Sequence, residues 1–380
     1  MNPIPEILQY SISIILSFVI SFFLTPAVIK LAVKADVLDV PSDARRVHKK
    51  PIPKLGGLAI ITGFFITILV NAVLYAFDIV TLMLPNSQLI GFLFGLFIIV
   101  IMGIIDDLYG LNAKWKFLFQ IIAALIVISS GTRIPTLTNP FSTQGYFSLP
   151  DWVSFIFTLF WIVGITNAIN FIDGLDGLAA VITTIATFSL FIVSLLSGDN
   201  RLLSVSLMTA ILGGSTLGFL PYNLNPAKIF MSDIGSNFLG FSLAVITIQG
   251  TMKSYAAIAL AVPIVILAIP LFDVIFAIIR RIVHKKKITD ADRGHLHHRL
   301  IDLGLPQKKV VLILYSISLV LGFSAIILSL ISRKHAARID AIYAFLFIVA
   351  IFVLITLFIR VLKSLTNAKN SQQNDDNQNN

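Results

Sequence analysis

The chain contains no cysteine and a single glutamate, Glu6, beside eighteen aspartates. Without thiols it can form neither disulfides nor thiolate metal sites, and cysteine usage says nothing about the redox compartment. Charge of either sign is scarce: 12% of the 380 residues are Asp, Glu, Lys or Arg, whereas 57% are hydrophobic. That balance excludes an ordinary soluble domain. No Lys or Arg precedes Lys30, so the first apolar run lacks the cationic start of a cleavable signal peptide, and it is too long for one. An internal repeat of the kind that builds many transporters is also missing.

What is present is apolar sequence in runs of membrane-spanning length. Eleven can be traced, at roughly 8–30, 55–77, 88–105, 115–130, 152–169, 175–197, 202–220, 236–250, 255–280, 309–331 and 339–362, with the seventh to ninth dividing least cleanly. The expected fold class is all-α, a polytopic membrane protein of about 11 transmembrane helices. Lys and Arg set its orientation. With the N-terminus outside and the C-terminus cytoplasmic, all but six of the 28 Lys and Arg residues face the cytoplasm, the six being Arg133, Arg201, Lys253, Arg333, Lys334 and Arg338. The positive-inside rule makes that a strong bias, with local dissent only before the last segment. The net charge of +9 then serves orientation and contact with the anionic headgroups of the lipid bilayer, and no nucleic acid is expected. Residues 1–366 read as one integral membrane unit, and 367–380, rich in Asn, Gln and Asp, as a disordered polar tail.

Nearly every unusual polar residue falls in the cytoplasmic loops, at about 31–54, 106–114, 170–174, 221–235 and 281–308. The densest stretch is Asn167-Ala-Ile-Asn170-Phe-Ile-Asp173-Gly-Leu-Asp176-Gly-Leu178. Ionisable groups against a membrane span are costly unless paired or hydrated. A helix starting near Leu175 would set Asp173 and Asp176 one turn apart, and the glycines would let a phosphate reach its free N–H groups. Caps and turns account for Asn170 and one glycine but not for two aspartates. Asp106-Asp107 closes the third segment. Adjacent carboxylates repel unless they share a cation or a proton; the plainer reading is a solvated helix end. Lys114 and Lys116 follow, either as orienting charges or as phosphate ligands.

Phe230-Met-Ser-Asp233-Ile-Gly-Ser236 alone reads as an N-cap. With Asn223, Asn225 and Lys228 nearby it becomes a shelf for an anion or for Mg2+, which prefers hard oxygen ligands. Asp292-Arg293-Gly-His295-Leu-His297-His298-Arg299 brings three histidines into a basic loop. Neighbouring Arg residues would repel a transition metal, so phosphate binding fits better, with a flexible basic loop as the bland alternative. His48, beside Arg45-Arg46, and Lys54, before Gly56-Gly57, occupy the first inner loop, where the glycines permit a close turn into the second segment. Asp273 lies inside the ninth segment, either pairing with Arg280 or buried beside a site.

Together these motifs set carboxylates, Asn170, basic residues and histidines on one membrane face. Hard oxygen ligands beside cations describe a phosphoryl-transfer site, and its interfacial position implies one lipid substrate and one soluble polyanionic one. Asp106-Asp107, NAINFIDGLDGL, FMSDIGS and DRGHLHHRL, in that order over roughly residues 20–300, resemble the polyprenyl-phosphate N-acetylhexosamine-1-phosphate transferases (glycosyltransferase 4, MraY-like). The split histidine run, with Leu296 inside it and Arg299 after it, is similar to the WecA/TagO branch. The MraY branch, which uses UDP-MurNAc-pentapeptide, usually has adjacent histidines followed by an acid.

The resemblance implies transfer of a sugar 1-phosphate from a UDP-sugar to undecaprenyl phosphate with Mg2+ or Mn2+ and release of UMP, the usual donor of the branch being UDP-N-acetylglucosamine (UDP-GlcNAc). By motif it implies Asp233 and Asn170 as metal ligands. Asp106 or Asp107 would deprotonate or orient the lipid phosphate, which attacks the β-phosphorus in line. Asp173, Asp176 and Asn167 would line the nucleotide pocket, and Lys116, Arg293, His295, His297 and His298 would hold pyrophosphate or sugar. Lys54, His48 and Asp273 are outlying candidates. The implied setting is the inner membrane of a bacterial cell, with the site facing the cytoplasm and the product starting a cell-surface polymer. Ser232 stands where glycine is expected. A transporter would place its ionisable groups near the bilayer midplane, where only Asp273 lies. A membrane scaffold would leave Asp106-Asp107 and Asp233 without a role. The oligomeric state stays open, a homodimer included.

Overall fold

The computed structural model describes residues 4–40, 50–81, 87–139, 146–197, 202–253, 261–283, 296–332 and 346. His48, Arg293 and His295 lie outside the described residues, as do the polar tail and nearly all of the last apolar run; His297 and His298 are described in backbone only.

The described residues form Glu6–Lys34 (α1), Gly57–Ala76 (α2), Ser87–Tyr109 (α3), Ala113–Ser129 (α4), Asp151–Ile172 (α5), Leu178–Ser197 (α6), Leu203–Asn223 (α7), Ser232–Lys253 (α8), Ala261–Ile266 (α9), Ala268–Val283 (α10), Leu296–Asp302 (α11) and Gln307–Ser332 (α12). Two short antiparallel ribbons pair Leu38–Asp39 (β1) with Ile52–Pro53 (β2), and Thr136–Thr138 (β3) with Tyr146–Ser148 (β4). The chain is an all-α, multi-pass membrane protein: among the described residues, seven helices (α1, α2, α3, α5, α6, α7 and α12) are long and apolar enough to cross a bilayer.

Several element boundaries differ from the sequence expectation. The ninth apolar run divides into α9 and α10. Pro270 has no N–H for the carbonyl of Ile266, and its ring crowds that carbonyl, so the helix breaks between them. Helix α3 runs on to Tyr109, which puts Asp106 and Asp107 inside its last turn instead of beyond it. Helix α8 starts at Ser232, so Asp233 and Ser236 belong to its first turns. In both cases the apolar run is shorter than the helix, because helix ends at a membrane surface are polar.

Helix α1 is amphipathic in the sense opposite to a soluble helix. Gln9, Ser13, Ser17, Ser21 and Thr25, four residues apart, are buried, while Ile7, Ile15, Phe23 and Leu31 are exposed. Lipid is as apolar as leucine, so membrane helices associate through small residues and hydrogen bonds. Gln9 Nε2 donates to Asn71 Oδ1 at 2.8 Å and Asn71 Nδ2 to Ser13 Oγ at 3.0 Å, tying α1 to α2.

Successive helices alternate in direction. The C-terminal ends of α1, α3, α5 and α7 therefore share one end of the bundle with the N-terminal ends of α2, α4, α6 and α8. Backbone bonds lace that end together: Gly56 N to Phe230 O at 3.0 Å, Gly57 N to Met231 O at 3.0 Å and Phe230 N to Pro53 O at 2.9 Å. The left-handed residue of the turn before α2 is Leu55, with φ of 70°. The glycines do something else there: Gly57 packs directly on Gly235, and a Cβ on Gly103 would lie 2.5 Å from Ile234 Cα. Helices α2 and α3 thus meet the start of α8 backbone to backbone, and the polar loops gather in a small space.

Candidate active site

Asp106 and Asp107 are neighbours in α3 but point to different partners, because successive helical side chains diverge. Asp106 Oδ1 accepts from Leu111 N at 2.7 Å, and its Oδ2 lies 2.5 Å from Lys116 Nζ. Asp107 Oδ1 accepts from Ser232 Oγ at 2.5 Å and its Oδ2 from Ile234 N at 3.3 Å. One carboxylate therefore engages α4 and the other the first turn of α8, where free N–H groups favour anions.

Asp233 sits between them. Asn170 Nδ2 donates to its Oδ1 and also to Ser236 Oγ at 2.8 Å. Lys116 Nζ lies 3.2 Å from its Oδ2. A single ammonium thus bridges Asp106 and Asp233, and α3, α4, α5 and α8 each contribute a group to one cluster.

Asp173 ends α5 and faces the same space. Its carboxyl has no hydrogen-bond or ion-pair partner among the described residues. Burial pushes it well above the usual carboxylate range, and the negative charges of Asp233, Asp107 and Asp176 push it further. The expected helix at Leu175 is not there: α6 starts at Leu178, so Asp173 and Asp176 lie in the intervening turn instead of on one helical face. The difference follows from Gly177, whose φ of 72° is incompatible with a right-handed helix.

Several candidates are placed elsewhere. Asp176 Oδ2 accepts from Asn225 Nδ2 at 2.9 Å and from Ala227 N at 3.1 Å, so it ties down the loop between α7 and α8. Asn167 turns its amide nitrogen inward, to Gln120 Oε1 at 2.7 Å and Val163 O at 2.8 Å. Lys54 Nζ lies 3.8 Å from Asp39 Oδ1 across the β1–β2 ribbon. Asp273 is only 8% exposed. Its Oδ1 accepts from Leu296 N at 2.8 Å and caps α11, the helix that carries His297 and His298.

Two residues of this region escaped sequence reasoning, Gln120 and Asn237, and both carried a signal. Each is an amide inside an apolar run, four residues beyond Lys116 or Asp233, and so on the same helical face.

No group of three Asp, Glu, His or Cys side chains has metal-site geometry among the described residues. Mg2+ does not require one, since it typically takes one or two carboxylates and completes its shell with water and substrate phosphate oxygens. Asp233 and the amide oxygen of Asn170 are hard donors of the right kind, and the uncompensated charge around Asp173 is what a divalent cation relieves. The donor set fits Mg2+ or Mn2+.

Comparison with known proteins yields a consistent set. A family profile described as glycosyl transferase family 4 matches residues 89–251, which include Asp106, Asp107, Lys116, Asn170, Asp173 and Asp233. The chain is 39% identical over 362 residues, 94% of each protein, to a probable undecaprenyl-phosphate N-acetylglucosaminyl 1-phosphate transferase of Bacillus subtilis (strain 168). It is 34% identical over 313 residues, 78% of each, to a decaprenyl-phosphate N-acetylglucosaminephosphotransferase of Mycobacterium leprae. A phospho-N-acetylmuramoyl-pentapeptide-transferase of Staphylococcus aureus (strain Newman) is 31% identical over 327 residues, 81% of this chain and 95% of that protein.

Proposed function

The chain belongs to glycosyl transferase family 4, and we propose that it transfers N-acetylglucosamine 1-phosphate from UDP-GlcNAc to undecaprenyl phosphate. The products are undecaprenyl-diphospho-N-acetylglucosamine and UMP, and the step opens a cell-surface polymer pathway. One observation carries the reading: Asp106, Asp107, Lys116, Asn170 and Asp233 converge at one end of a membrane bundle. The relatives named for undecaprenyl- or decaprenyl-linked N-acetylglucosamine transfer favour this donor over the muramoyl-pentapeptide one, whose named relative is less similar.

In this reading an oxygen of the lipid phosphate forms a bond to the β-phosphorus of the donor. The bond from that phosphorus to the bridging oxygen breaks, and UMP leaves with the electron pair. A phosphate monoester is already anionic near neutral pH, so Asp107 has mainly to orient it. Lys116 offsets charge on the diphosphate. Mg2+ or Mn2+, which Asp233 and Asn170 would hold, supplies further charge neutralisation when bound. Asp173, half-buried and biased toward its neutral form, faces the nucleotide as a hydrogen-bond donor, and Asp176 holds the loop that walls the pocket. The Arg/His segment would bind the donor's pyrophosphate or sugar. The positive-inside bias supports a cytoplasmic site in a bacterial inner membrane.

The test is direct. Purified protein mixed with UDP-GlcNAc, undecaprenyl phosphate and Mg2+ is expected to release UMP. No UMP with any of several UDP-N-acetylhexosamine donors would overturn the enzyme reading.

A further inference from the structure

One turn deeper into the bundle than the ionic cluster lies a second tier, made only of carboxamides. Gln120 follows Lys116 by four residues on α4, and Asn237 follows Asp233 by four on α8. Asn167 precedes Asn170 by three on α5, which runs the other way. Each helix thus carries one cluster residue and, directly beneath it, one amide. Gln120 and Asn237 are 2% and 1% exposed.

The amides form one directed chain. Asn167 Nδ2 donates to Gln120 Oε1 at 2.7 Å, Gln120 Nε2 to Asn237 Oδ1 at 2.9 Å, and Asn237 Nδ2 to Asp233 O at 2.8 Å. Its direction does not rest on how the amides are flipped. Backbone carbonyls only accept, so Val163 O requires nitrogen from Asn167, and Asp233 O requires nitrogen from Asn237. Asn237 must then face Gln120 with oxygen, and only Gln120, turned nitrogen to Asn237 and oxygen to Asn167, satisfies both. The chain begins at one backbone carbonyl and ends at the carbonyl of Asp233 itself.

We infer that Gln120, Asn167 and Asn237 are a positioning tier that fixes Lys116, Asn170 and Asp233 relative to one another. The inference rests on the reading of those three as parts of the reaction centre. Carboxamides suit the place. Each both donates and accepts, so one unbroken chain spans three helices without adding charge to the bilayer side of a site already rich in it. Contacts between helices could serve cohesion alone. This chain does more, because it terminates on the backbone of Asp233 and its members sit in register under the cluster. A tilt of α4 against α8 that parts Lys116 from Asp233 also pulls Gln120 from Asn237.

Gln120→Met keeps the length of the side chain and removes its hydrogen bonds to Asn167 and Asn237. It is expected to lower kcat for UMP release about 10–100-fold, as loss of supporting hydrogen bonds does around other preorganised sites. KM for UDP-GlcNAc should stay close to the wild-type value. Asn237→Leu should behave alike, and the double variant should be no slower than the worse single, because breaking one chain twice adds nothing. A second readout needs no turnover. The rate at which acetic anhydride acetylates Lys116, followed by mass spectrometry, should rise severalfold in Gln120→Met once the ammonium is no longer held between Asp106 and Asp233.

Wild-type kcat and unchanged Lys116 reactivity in Gln120→Met would overturn the inference, as would losses that multiply in the double variant. If Gln120→Met fails to fold, Asn167→Ala at the less buried end carries both measurements, with the same two outcomes. A wild-type protein that releases no UMP sinks the enzyme reading, while Lys116 reactivity still decides whether the tier holds the cluster.

Discussion

Ser232 donates its hydroxyl to Asp107 Oδ1 at 2.5 Å from a backbone held at φ of 62°. A left-handed conformation costs a residue with a Cβ about 1 kcal/mol relative to glycine, and the motif is one in which glycine is expected at this position. The conformation explains that expectation, and the hydrogen bond explains how serine is accommodated. The strain and the hydrogen bond to a half-buried carboxylate are of the same order.

Substitution at Ser232 separates the two. Ser232→Gly gives up the hydrogen bond and relieves the strain, so its unfolding temperature should match that of the wild type. Ser232→Ala gives up the bond and keeps the strain, and should be less stable than Ser232→Gly by about 1 kcal/mol. Thermal unfolding in detergent checks the order, and equal stability of the two variants would show that backbone strain plays no part.

Asp233→Asn keeps the shape of the side chain and removes the charge that meets Lys116 and would hold the metal. Turnover should fall at least about 100-fold, the usual size of losing one preorganised electrostatic contact, while the protein stays folded. UMP release measured beside the unfolding temperature decides it; near-normal turnover would exclude Asp233 as an essential group.

The apolar runs made nine helices legible one for one, α1 to α8 and α12, and covered α9 and α10 with a single run, because length and hydropathy are local properties of the sequence. The ionic cluster was legible too, since Asp106, Asp107, Asn170 and Asp233 are conspicuous against apolar neighbours. What stayed hidden depends on contacts between helices. Nothing local says that Asp176 faces Asn225 and Ala227 instead of a ligand, or that Asp273 meets Leu296 N. Gln120 looks like an isolated polar residue until α5 and α8 are placed against it. Ser232 looks like a mild departure from a motif until its φ is known.

The role of Asp176 as a clamp has its own consequence. Asp176→Ala leaves Asn225 Nδ2 and Ala227 N without their acceptor. Losing hydrogen bonds to a carboxylate costs about 1.5–3 kcal/mol, and the cost should appear locally, as faster proteolysis between Leu224 and Ile229. Asp176→Asn retains one acceptor oxygen and should be intermediate. Cleavage rates at that loop no different from wild type would return Asp176 to a ligand-facing role.

Asp173 gives a pH dependence with a definite sign. In the unfolded chain its carboxyl titrates near pH 4; in the fold burial and three neighbouring carboxylates raise it well above that. The folded state therefore holds the proton more tightly. The resulting stability is fully present below the unfolded pKa and is lost as pH rises through the folded one. Asp173→Asn removes the titration. In metal-free buffer at pH 8 the variant should unfold at a higher temperature than the wild type, and the gap should close as pH falls toward 4. The same change should lower activity, since stability and function often oppose each other where like charges are gathered for a ligand. Unfolding temperatures taken across that pH range, with EDTA present, test the sign; a gap that stays constant or widens toward acid pH would show that Asp173 is ionised in the fold as easily as in the unfolded chain.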